Sequence, residues 1–146
     1  MDNLNNMDYQ KYAEKKVPKP TYLKNIIWAF IVGGIICTVG QLIYHFFSNR
    51  GLDEKMTSAA TAISLVFIGA LLTGLGVYDK IGKIGGAGAA VPITGFANAI
   101  VSPAMEFKRE GFIFGVASKM FVIAGPVLVY GIGSSIIVGI ISLLIR

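Results

Sequence analysis

The stretch from Lys83 to Glu110, KIGGAGAAVPITGFANAIVSPAMEFKRE, is apolar over most of its length yet carries Gly85, Gly86, Gly88, Pro92, Gly95 and Pro103. An interior glycine costs a helix about 1 kcal/mol and an interior proline about 3 kcal/mol, so an unbroken helix is strongly disfavoured here. In hydrocarbon, backbone N–H and C=O groups must find partners inside the protein. Irregular chain survives there only where protein covers it or where it lines a water-filled path. The sequence therefore predicts a broken segment over about residues 83–104, enclosed by other helices.

The remaining chain supplies such helices. Hydrophobic residues make up 54% of the 146 and charged ones only 14%, far from the balance of a soluble domain. The fold expected is an all-α integral membrane protein with about four membrane-embedded segments, the broken Gly/Pro-rich element among them. Residues 1–24 form a basic N-terminal segment, and 25–146 a single polytopic domain. One cysteine, Cys37, and one histidine, His45, leave no disulfide framework and no metal-ligand spacing. Cys37 reads as a small buried apolar residue. The formal charge of +5 comes from thirteen basic residues placed mainly before and between apolar runs, which fits orientation against a bilayer and not a nucleic-acid surface. The start of the chain lacks the pattern of a secretory signal.

Five lysines, Lys11, Lys15, Lys16, Lys19 and Lys24, precede the first apolar run, so the N-terminus is expected on the cytoplasmic side. Pro18 and Pro20 bias their neighbourhood toward extended chain. Residues 25–47 are long enough to cross as the first span, with Tyr22 and Trp28 at headgroup level. Gly33 with Cys37, and Gly34 with Thr38, offer small faces for a second helix; Gln41 offers an interhelical hydrogen bond or a pore-lining group. A polar turn around Gly51 leads to the second span, residues 57–77, with Thr57 or Ser58 as N-cap and Ala70 and Gly74 as a small row. Asp79, Lys80 and Lys83 mark a return to the cytoplasmic side.

Two arrangements suit the broken centre. In one, its glycines serve dense packing, Gly82 and Gly86 having the required spacing. In the other, two half-helices meet at Val91-Pro92, and the second, starting near Thr94, directs free N–H groups and its positive dipole end at an anion. Gly85, Gly86, Gly88, Pro92, Thr94, Gly95, Asn98 and Ser102 would then line the solute path. Gly86-Ala87-Gly88 is not a dinucleotide loop, because no strand precedes it. Ser102-Pro103 reads as a cap followed by proline in a first helical turn, opening a short interfacial helix over Met105 to Arg109. Residues 111–145 exceed one straight crossing and are interrupted at 125–126, either by a turn between two helices or by a kink in one. Gly131, Ser135 and Gly139 form a further small row. Lys119 falls within this apolar run, where a lysine either snorkels to the interface or faces a cavity or a charged partner, Asp79 or Glu106 being available. No nucleophile and base, paired carboxylates or metal cluster suggests catalysis.

The order of a lysine-rich start with Pro-Lys-Pro, then AFIVGGIICTVGQ, ALLTGLGVYDKIGKIGGAGAAVPITGFANAI, EFKREG and GVASKMF, resembles the SpoVAC/SpoVAE family of sporulation membrane proteins over almost the whole chain. The long basic start matches its AC-type members, since the AE-type ones lack it. This resemblance implies a channel or transporter subunit of the SpoVA complex in the inner membrane of the forespore and spore. Its solute would be dipicolinic acid with calcium, taken up in sporulation and released in germination. The implied partners are an AE-type membrane subunit and a peripheral dipicolinate-binding subunit, with no cofactor and no catalytic residue. The alternatives are a low-selectivity tension-gated pore and a scaffold that assembles the complex without lining the path.

The charge pattern yields a topological test. Single cysteines placed in a Cys37→Ala background should react with an impermeant reagent from the cytoplasmic face at positions 11 and 80, and from the opposite face at position 53. Labelling of position 11 only from the non-cytoplasmic face would reverse the assignment.

Overall fold

The computed structural model describes residues 9, 11–13, 16 and 21–145, and the elements resolved among them are all helical. The extended chain expected around Pro18 and Pro20 lies outside the described residues. In order, the elements are α1 (Tyr22–Ser48), α2 (Glu54–Gly74), α3 (Tyr78–Gly85), α4 (Ala87–Ala90) and α5 (Ile93–Glu106). A 3₁₀ turn (Phe107–Glu110), a π-helical turn (Phe112–Ala117) and α6 (Ser118–Ile145) complete them. Three stretches are long and apolar enough to cross a membrane: α1, α2 and the continuous run Phe112–Ile145.

Helices α1 and α2 pack as a hairpin. The cap of α2 differs from the expectation at Thr57 or Ser58. Asp53, in extended conformation, accepts a hydrogen bond from the Met56 N–H at 3.1 Å, and the helix begins at Glu54. A carboxylate cap followed by an acidic first-turn residue is favoured by both the free N–H groups and the helix dipole. Thr57 is instead fully buried, its hydroxyl donating to the Leu52 carbonyl at 3.3 Å.

The centre breaks where glycine and proline dictate. Gly86 adopts φ +50°, ψ −122°, a conformation that L side chains rarely take, and separates α3 from α4. Pro92, at φ −61°, ψ 161°, stands before α5 as its N-cap. Ser102-Pro103 does not start a new helix. Pro103 lies inside the last turn of α5, which runs on to Glu106, and residues 107–110 form the 3₁₀ turn. Proline near a helix end forfeits one hydrogen bond, here the one to the Ala99 carbonyl, and the packing of α5 along α2 outweighs that loss. In the same way α6 runs through Pro126 as one helix, which removes the N–H that the Val122 carbonyl would have accepted.

The register of α5 on α2 sets the course of the broken segment. A Cβ built on Gly69 would lie 3.0 Å from Thr94 Cα and 3.2 Å from Ala97 Cβ, while the Thr73 hydroxyl reaches Asn98 at 2.9 Å. Later residues of α2 thus meet later residues of α5. The two helices run parallel, so the chain leaves α2 at one end of the bundle, dips inward through α3 and α4, and returns along α5 toward the end it left. On the other flank, a Cβ on Gly88 would lie 2.8 Å from Ala29 Cα, and one on Gly33 3.3 Å from the Gly88 carbonyl oxygen. Gly85 likewise abuts Val32. Those α1 residues lie seven to eleven positions past Tyr22, so the tip of this re-entrant hairpin reaches about 10–16 Å along α1.

The buried residues are small or hydroxylated: Ala89, Ala97, Ala124, Thr57, Thr73 and Thr94, with Tyr78 the one large side chain among them. Close backbone approach through small residues is how helices associate where lipid removes the hydrophobic drive. Not every expected small row is used. Gly34, Gly74, Gly82, Gly131 and Gly139 have open space where a Cβ would stand, and Cys37 is exposed, not buried. Gln41 pairs along its own helix with His45, Nε2 to Nε2, at 3.1 Å.

Gly69→Val should therefore lower the thermal midpoint of the purified protein by several degrees, because its side chain meets the Thr94 backbone. Gly74→Ala, which meets nothing, should be neutral or stabilising by up to about 1 kcal/mol. Thermal unfolding in detergent checks both.

Candidate functional site

The hairpin is pinned by Tyr78, the first residue of α3, which is 3% exposed. Its hydroxyl lies 2.8 Å from the Ala89 carbonyl and 2.7 Å from the Thr94 hydroxyl. One proton from tyrosine and one from threonine complete this arrangement, tyrosine donating to Ala89 and accepting from Thr94. The start of α3, the end of α4 and the first turn of α5 are thereby tied at one point. Gly95 closes against the Ala89 and Ala90 carbonyls, where no Cβ fits. On the α2 side, the Thr73 hydroxyl donates to the Gly69 carbonyl at 2.7 Å and meets the Asn98 amide oxygen.

Inside this frame lies a cavity of about 530 Å³, bordered by Asp79, Lys83, Gly86, Gly95, Asn98 and Ala99 together with Tyr78, Gly82, Ala89 and Ala90. Its size falls within the range of small-molecule sites. The chemistry of its wall is mixed. Asp79 and Lys83 stand four apart on α3 and are solvent-exposed, giving one carboxylate and one ammonium on the same face. Asn98 adds a side-chain amide that also meets the Thr73 hydroxyl. Ala99, whose carbonyl receives no N–H from Pro103, also borders the cavity.

Of the residues expected on a solute path, Gly86, Gly95 and Asn98 border this cavity, and so does Asp79, expected as a charge partner. Gly85 and Gly88 pack against α1, and Thr94 is buried on Tyr78. Pro92 and Ser102 are half-buried outside the lining, and Glu106 is exposed at the end of α5. The start of α5 is covered by its own hairpin, and the cavity opens beside its first turns. Lys119 is placed elsewhere: its Nζ sits 4.2 Å from the centroid of the Phe107 ring, a cation–π contact across the chain reversal. That reversal contains Gly111, at φ +94°, and the π-helical turn.

In the sequence Lys83 stands as a topology charge and not as a site residue. The signal was available, since 79, 82, 83 and 86 are spaced i, i+3, i+4, i+7, which puts Asp, Gly, Lys and Gly on one helical face.

Comparison with known proteins adds an independent line. A family model described as SpoVAC/SpoVAEB sporulation membrane protein matches residues 25–141. Stage V sporulation protein AC of Bacillus subtilis (strain 168) is 47% identical over 135 residues, covering 92% of this chain and 90% of that protein. No solved structure matches.

The hydroxyl network makes a measurable claim. Tyr78→Phe should destabilise the fold by about 1–3 kcal/mol, the cost of leaving the Ala89 carbonyl and Thr94 hydroxyl without their partner. Thr94→Val should cost less in the Tyr78→Phe background than in the parent, and a double-mutant cycle on unfolding midpoints measures that coupling.

Proposed function

We propose that this chain, which belongs to the SpoVAC/SpoVAEB sporulation membrane protein family, is a subunit of a channel or transporter that moves dipicolinic acid with calcium across the inner spore membrane. The observation that carries the reading is the mixed-charge cavity at the re-entrant hairpin. Dipicolinate is a rigid aromatic dianion, and its one-to-one chelate with calcium is neutral overall while keeping carboxylate oxygens on one side and metal on the other. A wall with one ammonium, one carboxylate and one side-chain amide complements such a solute better than a uniformly basic wall would. Lys83 meets carboxylate oxygens, the Asn98 amide adds a polar contact, and Asp79 meets the metal side. The small residues Gly86, Gly95 and Ala99 let the flat ring approach backbone.

No group on this wall is required for bond making or breaking, and the role is passage without catalysis. The N-terminus and the α3 end of the bundle face the spore core, in line with the lysine bias. An AE-type membrane subunit covers the outer flank of the hairpin, and a peripheral dipicolinate-binding subunit delivers or receives solute on one side. An assembly role within the same complex draws support from α6, which is exposed along nearly all its length beyond Ala124.

The test is flux of calcium dipicolinate in liposomes carrying this chain with its AE-type partner. Lys83→Met should lower flux roughly tenfold or more, as expected when a charged hydrogen bond of about 1.5–3 kcal/mol is lost. Asp79→Asn should reduce the calcium dependence of flux, and Lys80→Met, off the cavity, should leave both unchanged. Undiminished flux with Lys83→Met in a complex that still co-purifies would remove the cavity from the path and leave the assembly role.

A further inference from the structure

Lys83 also borders space between α3 and the start of α1. A cavity of about 400 Å³ between the start of α1 and α3 is lined by Thr21, Lys24, Asn25, Trp28, Lys83 and Ile84. A neighbouring one of about 390 Å³ shares Asn25, Lys83 and Ile84 and continues along α1 past Ile26 and Ala29. Two ammonium groups, a hydroxyl and an amide line the first of these, the Thr21 hydroxyl donating to the Asn25 amide oxygen at 3.4 Å, and among the described residues no carboxylate lines either space. The second space is walled mostly by aliphatic and small residues, with Tyr22 beside them, and Ile26 and Ile84 are exposed.

We propose that this cleft is a binding site for an anionic phospholipid, with the headgroup phosphate between Lys24 and Lys83 and an acyl chain along Ile26, Ala29 and Ile84. The location argues for lipid over a soluble anion. The cleft lies at the start of a helix long and apolar enough to cross a membrane, and the space lined by Lys24 and Lys83 adjoins one walled largely by Ile26, Ala29, Ile84 and Ala87. A free phosphate would satisfy only the first of these spaces. Anionic headgroups are selected over zwitterionic ones because each lysine near such a surface adds about 1 kcal/mol, and two face one phosphate.

Because Lys83 lines both this cleft and the hairpin cavity, the lipid phosphate and a solute carboxylate compete for one ammonium. Lipid occupancy therefore draws Lys83 away from the solute wall. This second part rests on the proposed transport reading, whereas the lipid site does not.

Trp28, the one tryptophan of the chain, lines the cleft and serves as the reporter. The full chain is placed in bilayers of fixed phosphatidylcholine and phosphatidylglycerol content, with bromine on the acyl chains of one lipid or the other. Brominated phosphatidylglycerol should quench Trp28 more strongly than brominated phosphatidylcholine. Lys24→Gln and Lys83→Gln should each cut the apparent preference roughly five-fold, the factor equivalent to about 1 kcal/mol, and Lys80→Gln should leave it intact. Equal quenching by the two lipids in the parent protein, or a preference that survives in the Lys24→Gln, Lys83→Gln double variant, would overturn the site. A shift of Trp28 emission on adding inorganic phosphate to pure phosphatidylcholine bilayers, with no excess quenching by phosphatidylglycerol, would reassign the cleft to soluble anions. Calcium dipicolinate should reduce the phosphatidylglycerol excess if Lys83 is shared. An excess indifferent to it would overturn the sharing alone, and since the quenching needs no flux, failure of the transport reading leaves the lipid result standing.

Discussion

Backbone that leaves helical geometry inside a membrane domain must have every polar group answered by protein, and in this chain that demand converges on one phenol. The Tyr78 hydroxyl closes the hairpin by bonding the last turn before the break and the first turn after it. Because the residue is buried, water cannot take its place, and the bond is made at full worth or lost at full cost. Everything else at the centre depends on the spacing it sets: Gly95 under the Ala89 and Ala90 carbonyls, Asn98 on Thr73, and the cavity between α3 and α5.

The second dependence is on absent side chains. Gly33, Gly69, Gly85 and Gly88 let helices α1 and α2 grip the hairpin from two flanks at backbone distance. Dispersion contacts at that range, many and individually weak, hold a segment that has little apolar surface to bury. Polar side chains then need short reach only. Threonine hydroxyls at 73 and 94 suffice to link elements that larger residues would have held apart.

How far these features could be read in advance follows from the range of the physics involved. The break at Pro92 was legible because proline and glycine act on their own backbone, and the spanning length of α1 was legible because apolar run length is a local property. Ser102-Pro103 misled for the complementary reason: its cap chemistry is local, but whether a helix already under way passes through a proline depends on tertiary packing, here that of α5 along α2 and against α6. Asp53 prevailed over Thr57 as a cap because burial of Thr57 against the hairpin loop is tertiary. Lys83 is the instructive case for the site. A lysine that orients a chain and a lysine that faces a cavity look alike in one dimension, and only the course of α3 distinguishes them. Lys119, conspicuous in an apolar run, has an aromatic face as its neighbour, a pairing no spacing rule at twelve residues' separation would single out.

The depth of the hairpin has an energetic meaning beyond its shape. A charge crossing hydrocarbon faces a self-energy barrier set mainly by the low dielectric and the size of the ion, and a hairpin whose tip reaches about 10–16 Å along α1 would shorten the path through a slab about 30 Å thick by a third to a half. What remains is still an insulator of roughly 15–20 Å by that difference, high enough to stop an ion. A lone copy of the chain is on this account a capacitor with one plate pushed inward: it concentrates the transmembrane field across the remaining layer without short-circuiting it.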